Sequence, residues 1–146
     1  ILVMMISKLP KIYMVPAIFY SGVFCGIYGL LLADNLTFSA NDILMGAVDV
    51  DAGKLWIGVN GVWFNSGNPA TGSNATLTFT NSSGDDLQIY AGFGSSSARV
   101  SSFNFGNGFF GTTAVSSAGT NASGIGIFEY DVPTGYAALS TKGLNL

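Results

Sequence analysis

The chain has 146 residues and a net charge of −3, which fits one domain with room for a hydrophobic core. Charged residues make up 9% of it and apolar residues 49%, whereas soluble domains carry about 25% charged residues. Twenty glycines, with many serines, threonines and asparagines, supply uncharged polar surface instead. This composition is common in β-rich extracellular and viral surface proteins and rare in cytosolic enzymes.

Residue types that most catalytic and metal sites need are scarce. The chain has no histidine, which excludes Ser-His-Asp and Cys-His nucleophile systems and histidine-containing zinc sites. Its single cysteine, Cys25, lies in an apolar run and is expected to be a buried thiol. Five basic residues offer no stripe that would neutralise nucleic-acid phosphates. We therefore expect no enzymatic activity, no cofactor, no metal and no nucleic-acid partner.

Residues 1–39 form an apolar N-terminal segment. Within it, residues 12–33 contain no charged side chain and are long enough to cross a membrane as a helix. Pro16, three glycines and several aromatic residues interrupt this run and favour short strands. We expect a β segment, either part of the same domain or a divergent addition, and a membrane or signal segment is the alternative.

From Asp34 onward the pattern predicts an all-β structure, because turn formers recur every several residues and helical periodicity is almost absent. A strand is predicted over 43–50, a tight turn over 51–54 with Gly53 at positive φ, and a second strand over 55–59. Asn60-Gly61 then predicts a type I′ turn into a third strand over 62–64. These three strands form an antiparallel meander.

A turn at Asn60-Gly61 sets the register of the last two strands: Val59 opposite Val62, Gly58 opposite Trp63, Ile57 opposite Phe64 and Trp56 opposite Asn65. One face then carries the apolar residues Leu55, Ile57, Val59, Val62 and Phe64, and the other carries Trp56 and Trp63. Because both faces are apolar, we expect both to be covered, as in a sandwich. The tryptophan pair is either a ligand-binding platform or a second hydrophobic layer under the following loop.

The rest of the chain continues the β pattern. A long polar loop is predicted over 65–74, and a flexible excursion over 111–123. Further strands are predicted at 76–80, 88–93, 99–105 and 126–130.

Acidic pairs are assigned structural roles. Asp51 is expected to cap the turn that follows Asp49, and Asp85-Asp86 is expected to be a solvated turn. Glu129 and Asp131 alternate and predict a charged strand edge. A calcium ion that bridges loops is the alternative for these groups.

Residues 46–63, GAVDVDAGKLWIGVNGVW, resemble the central hairpin of SPRY domains. In that hairpin an apolar strand ends in Asp-x-Asp, a glycine turns the chain, and Lys-Leu-Trp precedes Asn-Gly-Val-Trp. Residues 67–72, 100–106 and 133–141 are similar to segments of the SPRY variety found in bacteriophage structural proteins. The resemblance covers residues 40–146 and implies a concanavalin-like antiparallel β-sandwich without catalysis, whereas residues 1–39 depart from it.

Three functions are then open. The first is a virion structural or adhesive protein, in a tail fibre, appendage or capsid surface, that packs against its own copies or other virion proteins. The second is a carbohydrate- or peptide-binding module that uses Trp56 and Trp63, with a host surface glycan as one candidate ligand. The third is a surface protein anchored in a membrane by residues 12–33. The first two place the protein on a virion or an extracellular surface.

Overall fold

The computed structural model describes residues 2–8, 41–79 and 102–139. In these ranges the regular structure is strand, apart from two single 3-10 turns at Phe64–Ser66 and Pro69–Thr71, which confirms the all-β prediction. The strands, in chain order, are β1 (Leu2–Lys8), β2 (Ile43–Asp49), β3 (Lys54–Val59), β4 (Val62–Trp63), β5 (Leu77–Thr78), β6 (Ser102–Asn104), β7 (Phe109–Phe110), β8 (Thr113–Ala114) and β9 (Tyr136–Ala138).

Seven of these strands form one sheet, and β7 and β8 form a separate two-stranded sheet. The order β3-β2-β1 lies at the centre. Short strands β4 and β5 both pair with β3, and β6 and β9 both pair with β1. Most pairs are antiparallel, as expected, but β1 runs parallel to β2 and β6. The sheet is therefore mixed rather than purely antiparallel.

The turn between β2 and β3 depends on Gly53, which has φ of 62°. A Cβ at this position would lie 2.0 Å from the carbonyl oxygen of Phe79, closer than any real contact, so only glycine fits. The backbone N–H of Ala52 donates to Oδ1 of Asp49 at 3.0 Å. The carboxylate of Asp49 therefore caps this turn, and the capping role expected of Asp51 stays a prediction.

The turn between β3 and β4 forms as predicted, with φ of 51° at Asn60 and 86° at Gly61. Gly58 pairs with Trp63 and Val59 with Val62. The expected pairs further along, with Phe64 and Asn65, are wrong because the chain leaves the sheet in a 3-10 turn in which Asn65 has φ of 56°.

Side chains on both faces of β2 and β3 are buried, as expected. On one face, Met45, Ala47 and Trp56 pack in a core cluster together with Ile125, Phe128, Val132, Tyr136 and Ala138. On the other face, Leu44, Val48, Leu55 and Ile57 are buried as well. This second apolar face ends earlier than predicted, since Val59 and Phe64 are only half-buried and Val62 is 71% exposed.

The remaining strand predictions are confirmed only in part. Strands β5 and β6 lie within the expected ranges 76–80 and 99–105 and end earlier than predicted, at Thr78 and Asn104, whereas residues 80 and 99–101 lie outside the described residues. Residues 126–130 do not form a strand: Gly126 has φ of 90°, and a Cβ there would lie 2.8 Å from that of Ala138. The 111–123 excursion contains β8, which pairs with β7. The predictions for residues 12–33, 85–86 and 88–93, and the thiol of Cys25, lie outside the described residues.

Candidate binding cleft

A cleft of about 550 Å³ lies between the β3–β4 turn and two segments of the C-terminal half. The turn side contributes Gly61 and Trp63, with Met45 from β2. The opposite side consists of residues 117–120 and 129–131. Strand register explains part of this arrangement, because Met45 pairs with Gly58 and Gly58 with Trp63, which places all three on one face of the sheet.

The two sides of the cleft meet where Tyr130 packs against Gly61. A Cβ on Gly61 would lie 3.0 Å from Cδ1 of Tyr130, so glycine serves this contact as well as the turn. The Tyr130 ring packs against the hydrophobic core, as does Trp63, and both side chains are only partly buried. Two aromatic side chains therefore line the same opening.

Residues 117–120 are fixed to residues 128–132 by backbone hydrogen bonds. The N–H of Gly119 donates to the carbonyl of Phe128, and the N–H of Val132 donates to that of Thr120, both at 2.8 Å. Gly119 cannot be replaced easily, since a Cβ would lie 2.3 Å from the carbonyl carbon of Tyr130. This side of the cleft is thus held by main-chain bonds as well as by side chains.

Two carboxylates flank Tyr130 and complete this side. Glu129 accepts hydrogen bonds from the backbone N–H of Ser116, at 2.6 Å, and from the Ser116 hydroxyl. Oδ1 of Asp131 accepts from the N–H of Thr120 at 2.6 Å. Bonds from Ser116 lower the pKa of Glu129, and bonds from Thr120 lower the pKa of Asp131, below their ordinary values. Both groups carry a negative charge at neutral pH.

The structure separates the two tryptophans that were predicted to bind a ligand. Trp56 is fully buried, and its Nε1 donates to the carbonyl of Ser73 at 2.8 Å. The loop over 65–74 covers it, since a Cβ on Gly67 would lie 2.9 Å from Cδ1 of Trp56. A ligand cannot reach Trp56 without moving that loop, so its position corresponds to the alternative interpretation, a layer beneath the loop. Ligand binding by Trp63, which lines the cleft, stays a prediction.

Sequence reasoning did not find Tyr130, Glu129 and Asp131 as cleft residues. Glu129 and Asp131 were assigned to a charged strand edge, but they bind loop residues instead. Glu129 and Asp131 lie near Trp63 because Tyr130, between them, contacts Gly61, and this contact joins distant parts of the chain. The alternation of acid and aromatic residues over 129–131 is the one local signal, and it is weak.

The chemistry available in the cleft is aromatic contact and hydrogen-bond acceptance by ionised carboxylates. Within residues 2–8, 41–79 and 102–139, no group of three acidic, cysteine or histidine side chains is placed to hold a metal ion. No helix in the described parts of the chain has the length and apolar character needed to cross a membrane. Comparison of the chain with protein-family models, curated proteins and solved structures finds no match.

Proposed function

We propose that the protein is a non-catalytic binding and assembly module with a SPRY-like β-sandwich fold. In this proposal it belongs to a structural or adhesive protein on the surface of a bacteriophage virion. The observation that carries the proposal is the cleft beside Trp63, at the turn end of the hairpin in which the SPRY-like residues lie. Binding residues are often located on loops that a folded scaffold positions, and a cleft at a hairpin turn fits this pattern.

The SPRY-like residues support this proposal because each has a defined place. Gly53 forms the first turn at positive φ and Trp56 packs in the core. Asn60 and Gly61 form the second turn, after which Trp63 enters the cleft. These residues thus form the two turns and part of the core, and they place the Trp63 side chain at the cleft.

Assembly with other subunits draws support from exposed apolar side chains rather than from the sheet faces, which are buried within one chain. Phe109 is 46% exposed and Ile127 is 50% exposed. They lie in the same region, because Gly108 contacts the Ile127 side chain and Asn107 bridges to Ile127. Exposed apolar groups that lie together favour association with a copy of the chain or with another virion protein.

The experiment for assembly is mass photometry of the purified protein. We expect oligomers or complexes, and we expect Phe109→Ser with Ile127→Ser to reduce them. Val62→Ser is the matched control, because Val62 is also exposed, at 71%, but lies at the β3–β4 turn. A monomer at all concentrations tested contradicts assembly through copies of this chain.

Carbohydrate or peptide binding is the second candidate, and the half-buried Trp63 ring beside Thr120 and two carboxylates favours it. Sugar rings and peptide side chains both pack on aromatic surfaces. The test is an array of glycans and of basic, neutral and acidic peptides, probed with the protein and with Trp63→Ala. Binding that Trp63→Ala abolishes and Val62→Ala leaves intact supports the candidate, whereas binding indifferent to both changes contradicts it.

A further inference from the structure

We infer that the cleft receives a cationic side chain, the guanidinium of arginine or the ammonium of lysine, presented by a segment of another protein. This inference rests on the proposed function as a binding module and specifies the chemistry of its partner. Its basis is the combination of two ionised carboxylates with two partly buried aromatic side chains at one opening.

Glu129 and Asp131 bring negative charge to the cleft. The hydrogen bonds that hold Glu129 and Asp131 come from backbone N–H and hydroxyl groups of Ser116 and Thr120. These donors carry no net charge, so they favour the ionised carboxylates without neutralising them. None of the described residues that line the cleft is basic. The two carboxylates therefore give the described lining of the cleft a negative potential, which attracts cations and repels anionic ligands.

The two aromatic rings of the cleft also favour a cation. A ring face is electron-rich, and it attracts an ammonium or guanidinium group placed over it. Trp63 and Tyr130 line the same cleft as Glu129 and Asp131. A guanidinium can stack on a ring and donate in-plane hydrogen bonds to a carboxylate at the same time. A neutral sugar can pack on the rings and donate hydroxyl hydrogen bonds to the carboxylates, but it brings no positive charge to neutralise them.

The composition of the chain indicates the source of the cation. The chain has five basic residues and eight acidic ones, so a second copy offers few candidates. Lys54 is engaged within its own chain, where its Nζ donates to the carbonyl of Gly72 at 2.8 Å. Charge complementarity thus favours a different protein with a basic segment as the occupant.

The test is a titration of the isotope-labelled protein, followed by nuclear magnetic resonance. The probe is a short acetylated glycine peptide with one central arginine, compared with the same peptide carrying citrulline, which is neutral and nearly isosteric. We expect the arginine peptide to shift signals of Trp63 and Tyr130, to bind at least fivefold more tightly than the citrulline peptide, and to weaken with added salt.

Variants assign the effect to the two carboxylates. Glu129→Gln combined with Asp131→Asn keeps acceptor oxygens but removes both charges, and we expect at least fivefold weaker binding of the arginine peptide. Asp51→Asn is the charge control, because Asp51 lies in the turn at the far end of β3, and we expect it to leave the affinity within twofold. Circular dichroism shows whether each variant is folded.

Three results overturn the inference: equal affinity for the arginine and citrulline peptides, no shift of Trp63 at any peptide concentration, or an Asp51→Asn effect as large as that of the cleft variant. The array separates this failure from failure of the proposed function. Trp63-dependent binding of glycans or acidic peptides overturns the cationic partner and leaves the binding module intact. No Trp63-dependent partner of any kind removes both.

Discussion

Trp56 and Tyr136 meet edge to face, with ring centroids 6.4 Å apart and ring planes at 88°. Both side chains also hold the loop that follows β4: Nε1 of Trp56 donates to Ser73, and the Tyr136 hydroxyl donates to the carbonyl of Pro69 at 3.3 Å. The pair thus joins β3, β9 and the 65–74 loop. An edge-to-face contact of this kind is worth about 0.5–1.5 kcal/mol beyond the area that it buries.

Replacement of Trp56 tests whether it is structural. Trp56→Ala is expected to lower the free energy of unfolding by about 3–5 kcal/mol, because it empties a fully buried site. Val62→Ala, at a residue that is 71% exposed, is expected to change it by less than about 0.5 kcal/mol. Urea unfolding followed by circular dichroism measures both, and a small effect of Trp56→Ala contradicts the assignment to the core.

Tyr136 predicts a specific alkaline sensitivity. Burial, and then the charge of Asp49, raise the pKa of Tyr136 above its ordinary value of 10.0. A pKa that is raised in the folded state gives stability that is complete below pH 10 and is lost as the pH rises. Tyr136→Phe removes one hydrogen bond and is expected to cost about 1 kcal/mol at neutral pH.

The stability difference between the parent protein and Tyr136→Phe is therefore expected to shrink above pH 10. Urea unfolding at several pH values measures it, and the other tyrosines cancel in the comparison. A difference that stays constant across this range contradicts the buried, neutral state of Tyr136.

Substitution of two glycines at positive φ distinguishes the cost of backbone strain from the cost of a steric clash. Gly53 has φ of 62° and Gly124 has φ of 67°, but a Cβ would meet backbone atoms only at Gly53 and has open space at Gly124. Gly124→Ala is expected to lower the free energy of unfolding by about 1 kcal/mol, because an alanine there must adopt the left-handed backbone conformation. Gly53→Ala is expected to cost clearly more in the same urea unfolding measurement, and equal costs contradict the close contact with Phe79.

Acid is expected to loosen the cleft. The pKa of Glu129 and that of Asp131 are lowered by hydrogen bonds from Ser116 and Thr120. A lowered pKa gives stability that is present above the ordinary values of 4.5 and 3.8 and is lost as the pH falls through the lower folded values. The amide signals of Ser116 and Thr120 are expected to titrate with these carboxylates in nuclear magnetic resonance spectra.

Glu129→Gln is the matched control for this titration. It is expected to remove the pH dependence at Ser116 and to leave that at Thr120 unchanged. If the Ser116 and Thr120 amides both titrate in the variant as they do in the parent protein, then Glu129 is not the group that Ser116 binds, and the assignment is contradicted.

The sequence predicts the fold best where local geometry decides it. Asn60-Gly61 requires positive φ at both positions, which fixes the turn and the pairing of Gly58 with Trp63. The exit of the chain at Phe64 was not predicted, because Asn65 adopts a left-handed conformation that nothing in the neighbouring pattern demands. Parallel pairing of β1 with β2 was missed as well, since it joins segments far apart in sequence.

The cleft was predicted only in part for the same reason. Register alone places Trp56 and Trp63 on one face, but it does not say which of them a loop covers. The bond from Trp56 to Ser73 and the contact of Tyr130 with Gly61 decide this, and both are long-range contacts. Such contacts follow from the packing of the whole chain rather than from any local pattern.

The two tryptophans differ in position: Trp56 is buried in the core, whereas Trp63 lines the cleft. Acrylamide quenching of the fluorescence of Trp63→Phe, which retains Trp56, and of Trp56→Phe, which retains Trp63, measures how accessible each tryptophan is. We predict that Trp63 is quenched several-fold more strongly than Trp56 and is protected when the arginine peptide is bound. Equal quenching of the two residues, or stronger quenching of Trp56, would contradict the buried position of Trp56 and the accessible position of Trp63.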